Sequence, residues 1–187
     1  LGIIDWFTLL LGIIGVVSLT IHGANWIIFK TNSDLNEKLK RVIFRLNFVL
    51  LGLVIISILI WHIIEPKPFR NYFHKPLLWF FPMIMFIGLA GLFRIKSLKK
   101  DGTGFIFSSL FLFGGLTSTV ASIFPKVLPS TNNVNPDLTL YNVAADSYGL
   151  TVSVYWFSVA VALVAIYMFV QYKVFKGKMD DVGYGEH

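Results

Sequence analysis

Histidine is the residue type in this sequence that could most readily take part in chemistry, because imidazole can bind a metal, ligate haem or move a proton. His22 and His62 lie in long apolar runs, His74 lies between two such runs, and His187 is the last residue. Cysteine is absent, which excludes disulfides, cysteine-ligated iron–sulfur clusters and Cys-x-x-Cys-His haem attachment within these residues. His22 and His62 are therefore the candidate ligands.

The depth of these two histidines argues against one shared haem. His22 lies about 19 residues past Ile3, or ~28 Å along a helix, and His62 lies about 20 residues past Val42 on a helix that runs the opposite way. The imidazoles thus lie near opposite surfaces and cannot clamp one haem between them. Each could be a single axial ligand with a partner from elsewhere. The sequence predicts no metal site and no catalytic residue on this chain.

A short motif around His22 is a candidate binding element. His22-Gly23-Ala24-Asn25-Trp26 places small residues beside an imidazole and an amide, with Trp26 one turn past His22 on the same helix face. His22, Asn25 and Trp26 are therefore candidates for contact with a quinone, a lipid or another subunit. A plain helix–helix contact, or an interfacial tryptophan anchor, explains the same residues, and the sequence leaves these alternatives open.

Charged side chains are scarce inside the apolar runs. Asp5 and Glu65 lie at run boundaries on one side, Arg94 lies at a boundary on the other, and no Asp or Glu lies deep in any run. A proton relay across a membrane needs several titratable groups in series. The sequence predicts no such relay.

Five apolar runs must position these residues, and each approaches or exceeds the ~20 residues that a helix needs to cross a bilayer core. The chain is 56% apolar with a mean hydropathy of +0.72, far from a soluble globular domain. Because backbone in lipid must be helical outside a closed barrel, we predict an all-α integral membrane protein with five transmembrane helices forming part of a helix bundle. We expect one membrane domain over 1–178, a cytoplasmic tail over 179–187, and helices at about 3–29, 39–64, 77–95, 104–124 and 149–176.

The basic residues between the runs predict the orientation. If all five runs cross, 12 of the 16 Lys and Arg residues fall on one side and four on the other. The positive-inside rule then places loops 30–38 and 96–103 and the C-terminus in the cytoplasm and loop 125–148 outside. The net charge of +6 is explained in this way, and no nucleic-acid partner is predicted.

Local signals predict how the helices are joined and packed. Pro66, Pro68 and Pro76 predict an extended second loop, and residues 101–104 predict a tight turn. Small residues at helix-packing spacing predict close backbone contacts at three places: Gly12 with Gly15, Gly88 with Gly91, and Gly114–Ser122.

The loop before the last run carries the most specific motifs. It contains Phe-Pro-x-x-x-Pro-Ser from Phe124 and Asn-Pro-x-Leu-Thr-Leu-Tyr-Asn-x-Ala from Asn135, and the last run closes on Tyr-x-x-Phe-x-Gly-Lys from Tyr172. With the motif at His22, this pattern resembles subunit II of cytochrome bd-type quinol oxidases. The resemblance covers the whole chain as the C-terminal five of the family's eight helices, and we therefore expect a segment of a longer polypeptide.

The resemblance implies a role in aerobic respiration. The complex oxidises membrane quinol and reduces oxygen to water, and its haems b558, b595 and d belong to the larger subunit I. Subunit II supplies no known haem ligand, pairs with subunit I as a heterodimer, and binds a structural quinone and lipid. The resemblance also implies a small single-helix accessory subunit and a bacterial or archaeal cytoplasmic membrane.

The residues leave two other functions open. A small membrane transporter or channel subunit would need a polar site at mid-membrane and interrupted helices, for which Pro82 and Gly114-Gly115 are the hints. A haem-b subunit of another respiratory complex would need a second ligand from a partner.

Overall fold

The structure is a computed structural model that describes residues 6–32, 34–64, 67–94, 102–128 and 137–180. The chain divides into two compact units. The first contains helices α1 to α5 with strands β1 and β4, and the second contains strands β2 and β3 with helix α6. That both belong to one membrane domain stays a prediction.

The first unit is a bundle of long helices with one short helix. Its elements, in chain order, are α1 (Trp6–Lys30), β1 (Thr31–Asn32), α2 (Leu35–Ile64), α3 (Lys67–His74), a 3-10 turn (Pro76–Trp79), α4 (Phe80–Phe93), α5 (Gly102–Ile123) and β4 (Met179–Asp180). The two strands pair in parallel, Thr31 with Met179 and Asn32 with Asp180.

The second unit starts with a small hairpin and ends with a long helix. Its elements are β2 (Lys126–Leu128), β3 (Leu138–Thr139) and α6 (Ser147–Val174), with the two strands antiparallel. Lys126 and Asp137 form an ion pair. Asn142 accepts from Thr139 N at 2.7 Å, and Asp146 caps α6 by accepting from Gly149 N at 3.3 Å. These Asn and Asp side chains occupy the turn and cap positions that their short polar groups favour.

Five of the described helices are long and apolar enough to cross a membrane, which confirms the predicted number of spans. They are Trp6–Lys30, Leu35–Ile63, Pro76–Phe93, Gly102–Ile123 and Ser147–Val174. Most of their large apolar side chains are exposed, which is expected of helices whose outer surface faces lipid and not water.

The core of the first unit lies between α1, α2, α4 and α5, around Ile21, Ile43, Leu50, Leu92 and Phe111. Glycines let α4 and α5 approach closely, as the sequence predicted for Gly88, Gly91 and Gly114. A Cβ at Gly88 would lie 2.7 Å from Phe107 O, nearer than real Cβ atoms come. Gly12 and Gly15 differ, because an added Cβ there would meet nothing within 4 Å.

Two local expectations about the connections were wrong. The second loop, expected to be extended, contains α3, because Pro68 occupies the first turn of a helix, where its missing N–H costs nothing. Gly102–Gly104, expected in a tight turn, form the first turn of α5. α2 begins at Leu35, because its first turns are polar and belong to the helix but not to the apolar run.

Candidate functional site

His22 joins helix α1 to helix α5 through a hydrogen bond. Its Nδ1 lies 2.8 Å from Ser108 Oγ, and that hydroxyl donates to Phe105 O at 2.9 Å. A hydroxyl has one proton, so while Ser108 donates to Phe105 O, His22 must donate from Nδ1. Ser108 is buried, with 2% of its surface exposed, whereas His22 is half-buried.

Aromatic rings surround this bond and define what we call the His22–Phe105 cluster: His22, Trp26, Phe29, Phe105 and Ser108. The Phe105 ring stacks on His22 with centroids 4.7 Å apart and lies 5.0 Å from the Trp26 ring. Phe29 stacks on Phe105 at 6.2 Å. Offset and tilted ring pairs of this kind are favourable beyond their buried area.

Helix spacing explains why these side chains meet. His22 and Trp26 are one turn apart on α1, so both face the start of α5. Gly102 makes room there, since a Cβ in its place would lie 2.9 Å from the Phe29 ring. Lys30, one turn further, holds its Nζ 5.4 Å from the Trp26 ring centroid and 5.5 Å from that of Phe29, which is cation–π distance.

Asn25 lies apart from the cluster although it belongs to the same motif. It is fully buried in the bundle, and its Nδ2 donates to Ile21 O of its own helix at 2.9 Å. Its Oδ1 has no hydrogen-bond partner within the described ranges. The structure thus brings His22 and Trp26 together and leaves Asn25 enclosed, beyond the reach of a ligand at the surface of the cluster.

Asn47 makes a hydrogen bond between two helices that the sequence analysis did not predict. Its Nδ2, fully buried on α2, donates to Leu92 O near the C-terminal end of α4 at 2.9 Å. The last carbonyls of a helix are incompletely bonded within it, so Asn47 supplies Leu92 O with a donor from another helix. The signal was present, because Asn47 is the one polar residue from Leu46 to Ile56, and polar residues in a membrane span are costly.

Helix α3 ties the other end of α5. Asn71 Nδ2 donates to Ser122 O at 2.8 Å, and Tyr72 Oη donates to Ser118 O at 2.6 Å. Both carbonyls belong to the last turns of α5. Burial raises the pKa of the Tyr72 phenol, because the phenolate loses solvation there.

Comparison with known proteins identifies the family. Residues 1–175 match the family described as cytochrome bd terminal oxidase subunit II. The chain belongs to this family. A relative from Haemophilus influenzae, named probable cytochrome oxidase subunit 2, is 26% identical over 199 residues, which cover 93% of this chain and 53% of the relative. This chain thus spans about half the length of that relative. The family match confirms the resemblance that the loop motifs of this chain indicated.

In this cytochrome bd subunit II chain, His22 and His62 do not form a two-ligand haem site. His22 lies about eight residues before the end of α1, or ~12 Å, and His62 lies about 27 residues past Leu35, or ~40 Å along antiparallel α2. A pair so far apart cannot bracket one iron. The described residues also hold no group of three or more His, Asp or Glu that could bind a metal.

Two of the remaining candidate residues are exposed at the C-terminal ends of helices. His74 ends α3 and is exposed, and Arg94 follows α4 and is exposed. Asp5, Glu65 and His187 lie outside the described residues. Together with five spanning helices, family membership makes the chain a multi-pass membrane protein.

Proposed function

We propose that this chain is the structural, non-haem-ligating subunit II of a bd-type quinol:oxygen oxidoreductase in a respiratory chain. The family match over residues 1–175 carries the proposal. The polar side chains support it, since His22, Asn47, Asn71 and Tyr72 each bond another helix of this chain. Side chains used in this way hold the bundle together.

The haems b558, b595 and d then belong to subunit I, with which this chain forms a heterodimer, and a small single-helix subunit accompanies them. The test is the reduced-minus-oxidised spectrum of the complex purified through a tag on this chain. We expect haem absorption in the complex and none from this chain alone. The complex with His22→Ala and His62→Ala should keep its full haem content. Stoichiometric haem on the isolated chain, or loss of one haem in the double variant, would overturn the proposal.

We also propose that the first loop and the C-terminus face the cytoplasm of a bacterial or archaeal cell, as the basic residues predict. Support comes from the pairing of Thr31 with Met179, because both ends of this pair must lie on one side. Between them the chain passes through four of the candidate spans, and an even number of crossings returns it to the side where it began.

Single-cysteine labelling tests this orientation cleanly, since the chain has no cysteine of its own. A membrane-impermeant maleimide applied from outside should label Tyr141→Cys, in the second unit, and spare Asn32→Cys and Lys176→Cys until the membrane is opened. All three positions are exposed. Labelling of Asn32→Cys and Lys176→Cys from opposite sides would refute the even number of crossings between them, and labelling of both from outside would reverse the orientation.

We propose, further, that the half-exposed edge of the His22–Phe105 cluster contacts the headgroup of a quinone or a lipid. His22 and Trp26 offer a polar edge and a flat ring at the end of a spanning helix, which suits a headgroup that carries hydrogen-bond acceptors. Asn25 contributes only through the packing of α1, because it is fully buried.

The bound molecules of the purified complex test this site. Quinone and phospholipid are each counted per haem for the wild type, His22→Gln and Trp26→Leu, with His62→Gln as the control at the far end of α2. The site variants should lose about one molecule of one class, and the class lost identifies the ligand. Unchanged counts in both variants would leave the cluster as a helix contact and reject the proposed site.

A further inference from the structure

Three basic residues form one stripe on the first turns of α2. Lys38, Arg41 and Arg45 are all exposed, and their spacing of three and four residues places them on one helix face. Among the described residues, no carboxylate pairs with any of them, and Glu37 instead pairs with Lys40 at 3.0 Å. Within that part of the chain, the stripe therefore presents three positive charges without a counter-charge.

The same face continues as an apolar surface. Beyond Arg45, positions at alternating steps of four and three residues lie on the same face. The apolar side chains at these positions are exposed: Val49 50%, Ile56 48%, Leu59 58% and Ile63 79%. At Gly52, within this series, an added Cβ would meet nothing within 4 Å. We call the whole series, from Lys38 to Ile63, the α2 stripe.

The charged part is long enough to cross a headgroup layer. Lys38 to Arg45 covers about 10 Å of helix at 1.5 Å per residue, and the polar layer on each side of the hydrocarbon core is roughly 5–8 Å thick. The N-terminus of α2 lies at this end of the stripe and adds the positive pole of the helix dipole. Charge and apolar surface thus change places where a lipid changes from phosphate to acyl chain.

We propose that the α2 stripe binds an anionic phospholipid, with its phosphate on Lys38, Arg41 and Arg45 and an acyl chain along Val49, Gly52 and Ile56. Guanidinium groups suit phosphate because their donors match its oxygens in pairs, and basic clusters at the cytoplasmic end of a span attract anionic lipid. This inference deepens the lipid part of the proposed function and assigns it to a place other than the His22–Phe105 cluster.

Retention of phosphatidylglycerol by the purified complex tests the proposal. The complex is placed in nanodiscs of phosphatidylcholine with or without phosphatidylglycerol, and bound lipid is measured by native mass spectrometry. Arg41→Gln with Arg45→Gln removes two charges of the stripe. Arg41→Lys with Arg45→Lys keeps both charges, and Lys173→Gln with Lys176→Gln removes two other exposed charges as the matched control.

The glutamine pair at Arg41 and Arg45 should weaken phosphatidylglycerol binding about tenfold to thirtyfold, while the lysine pair and the Lys173 control keep most of it. Equal losses in the stripe variant and the Lys173 control would overturn the site, because net charge alone would then explain the binding. Loss of subunit I from the stripe variant in pure phosphatidylcholine would overturn it too, since the stripe would then be a protein contact. Haem content of the wild-type complex reports separately on the proposed function.

Discussion

Gly114 and Gly115 are adjacent in α5 but predict opposite effects when each is changed to alanine. A Cβ at Gly114 would lie 2.8 Å from Met85 Cα and 2.9 Å from Phe81 O, both main-chain atoms of α4. At Gly115 the nearest atoms would be Met85 Sδ at 3.7 Å and Cγ at 3.9 Å. The first contact can be relieved only by moving a helix, and the second needs no relief.

The size of the effect follows from these distances. Carbon atoms in favourable contact lie about 3.5–4.0 Å apart, so Gly114→Ala forces α4 and α5 apart by close to 1 Å at this point. Overpacking of this kind costs about 1–3 kcal/mol. Both substitutions gain the same helix propensity, up to about 1 kcal/mol, which cancels in the comparison. Gly114→Ala should therefore be less stable than Gly115→Ala by about 1–3 kcal/mol.

Unfolding of the detergent-solubilised complex by sodium dodecyl sulfate, followed by far-ultraviolet circular dichroism, measures the difference. Gly88→Ala provides a second test, because it meets Phe107 and Phe111 from the α4 side, and it should behave like Gly114→Ala. Equal midpoints for the Gly114 and Gly115 variants would refute the close packing of α4 on α5.

Three further predictions concern the side-chain hydrogen bonds between helices. Asn47→Leu should lower the free energy of unfolding by about 0.5–2 kcal/mol, because Leu92 O loses its buried donor; a variant as stable as the wild type would show no net contribution from that bond. Ser108→Ala should lower it by about 0.5–1.5 kcal/mol through the lost partner of His22, and an unchanged denaturation midpoint would contradict this. In a spectrophotometric titration, Tyr72 should ionise later than an ordinary tyrosine, and Tyr72→Phe should remove that late component. Because burial raises its pKa, neutral Tyr72 contributes fully to the free energy of unfolding below the unfolded-state pKa of about 10. This contribution falls as the pH rises through the folded-state pKa. Identical titrations of the variant and the wild type would contradict the raised pKa.

The number of spans was predictable because bilayer thickness sets the length of an apolar run and the cost of bare backbone makes each run helical. The connections were less predictable. α3 forms at Lys67–His74, where prolines suggested an extended chain. This error arose where helix formation did not depend on hydrophobicity.

Side-chain contacts between helices were harder to predict, because identical spacings have different neighbours. Gly12 with Gly15 and Gly88 with Gly91 have the same spacing, yet only the second pair closes on another helix. Within the motif at His22, Trp26 and Asn25 are neighbours in sequence, but one residue turns the helix by about 100°, so Trp26 meets Phe105 and Asn25 enters the core. Asn47 could have been found, because it is a lone amide in an apolar stretch.

Hydrogen bonds near both ends of α5 explain how this helix is fixed within the bundle. Near its start, Ser108 bonds His22 of α1, and near its end, the carbonyls of Ser118 and Ser122 accept from α3. Between them lie about 15 Å of helix, packed against α4 at Phe111 and Gly114. A helix fixed by hydrogen bonds at both ends and by close backbone contact in its middle resists both sliding and rotation. Such stiffness suits the structural role proposed for this chain.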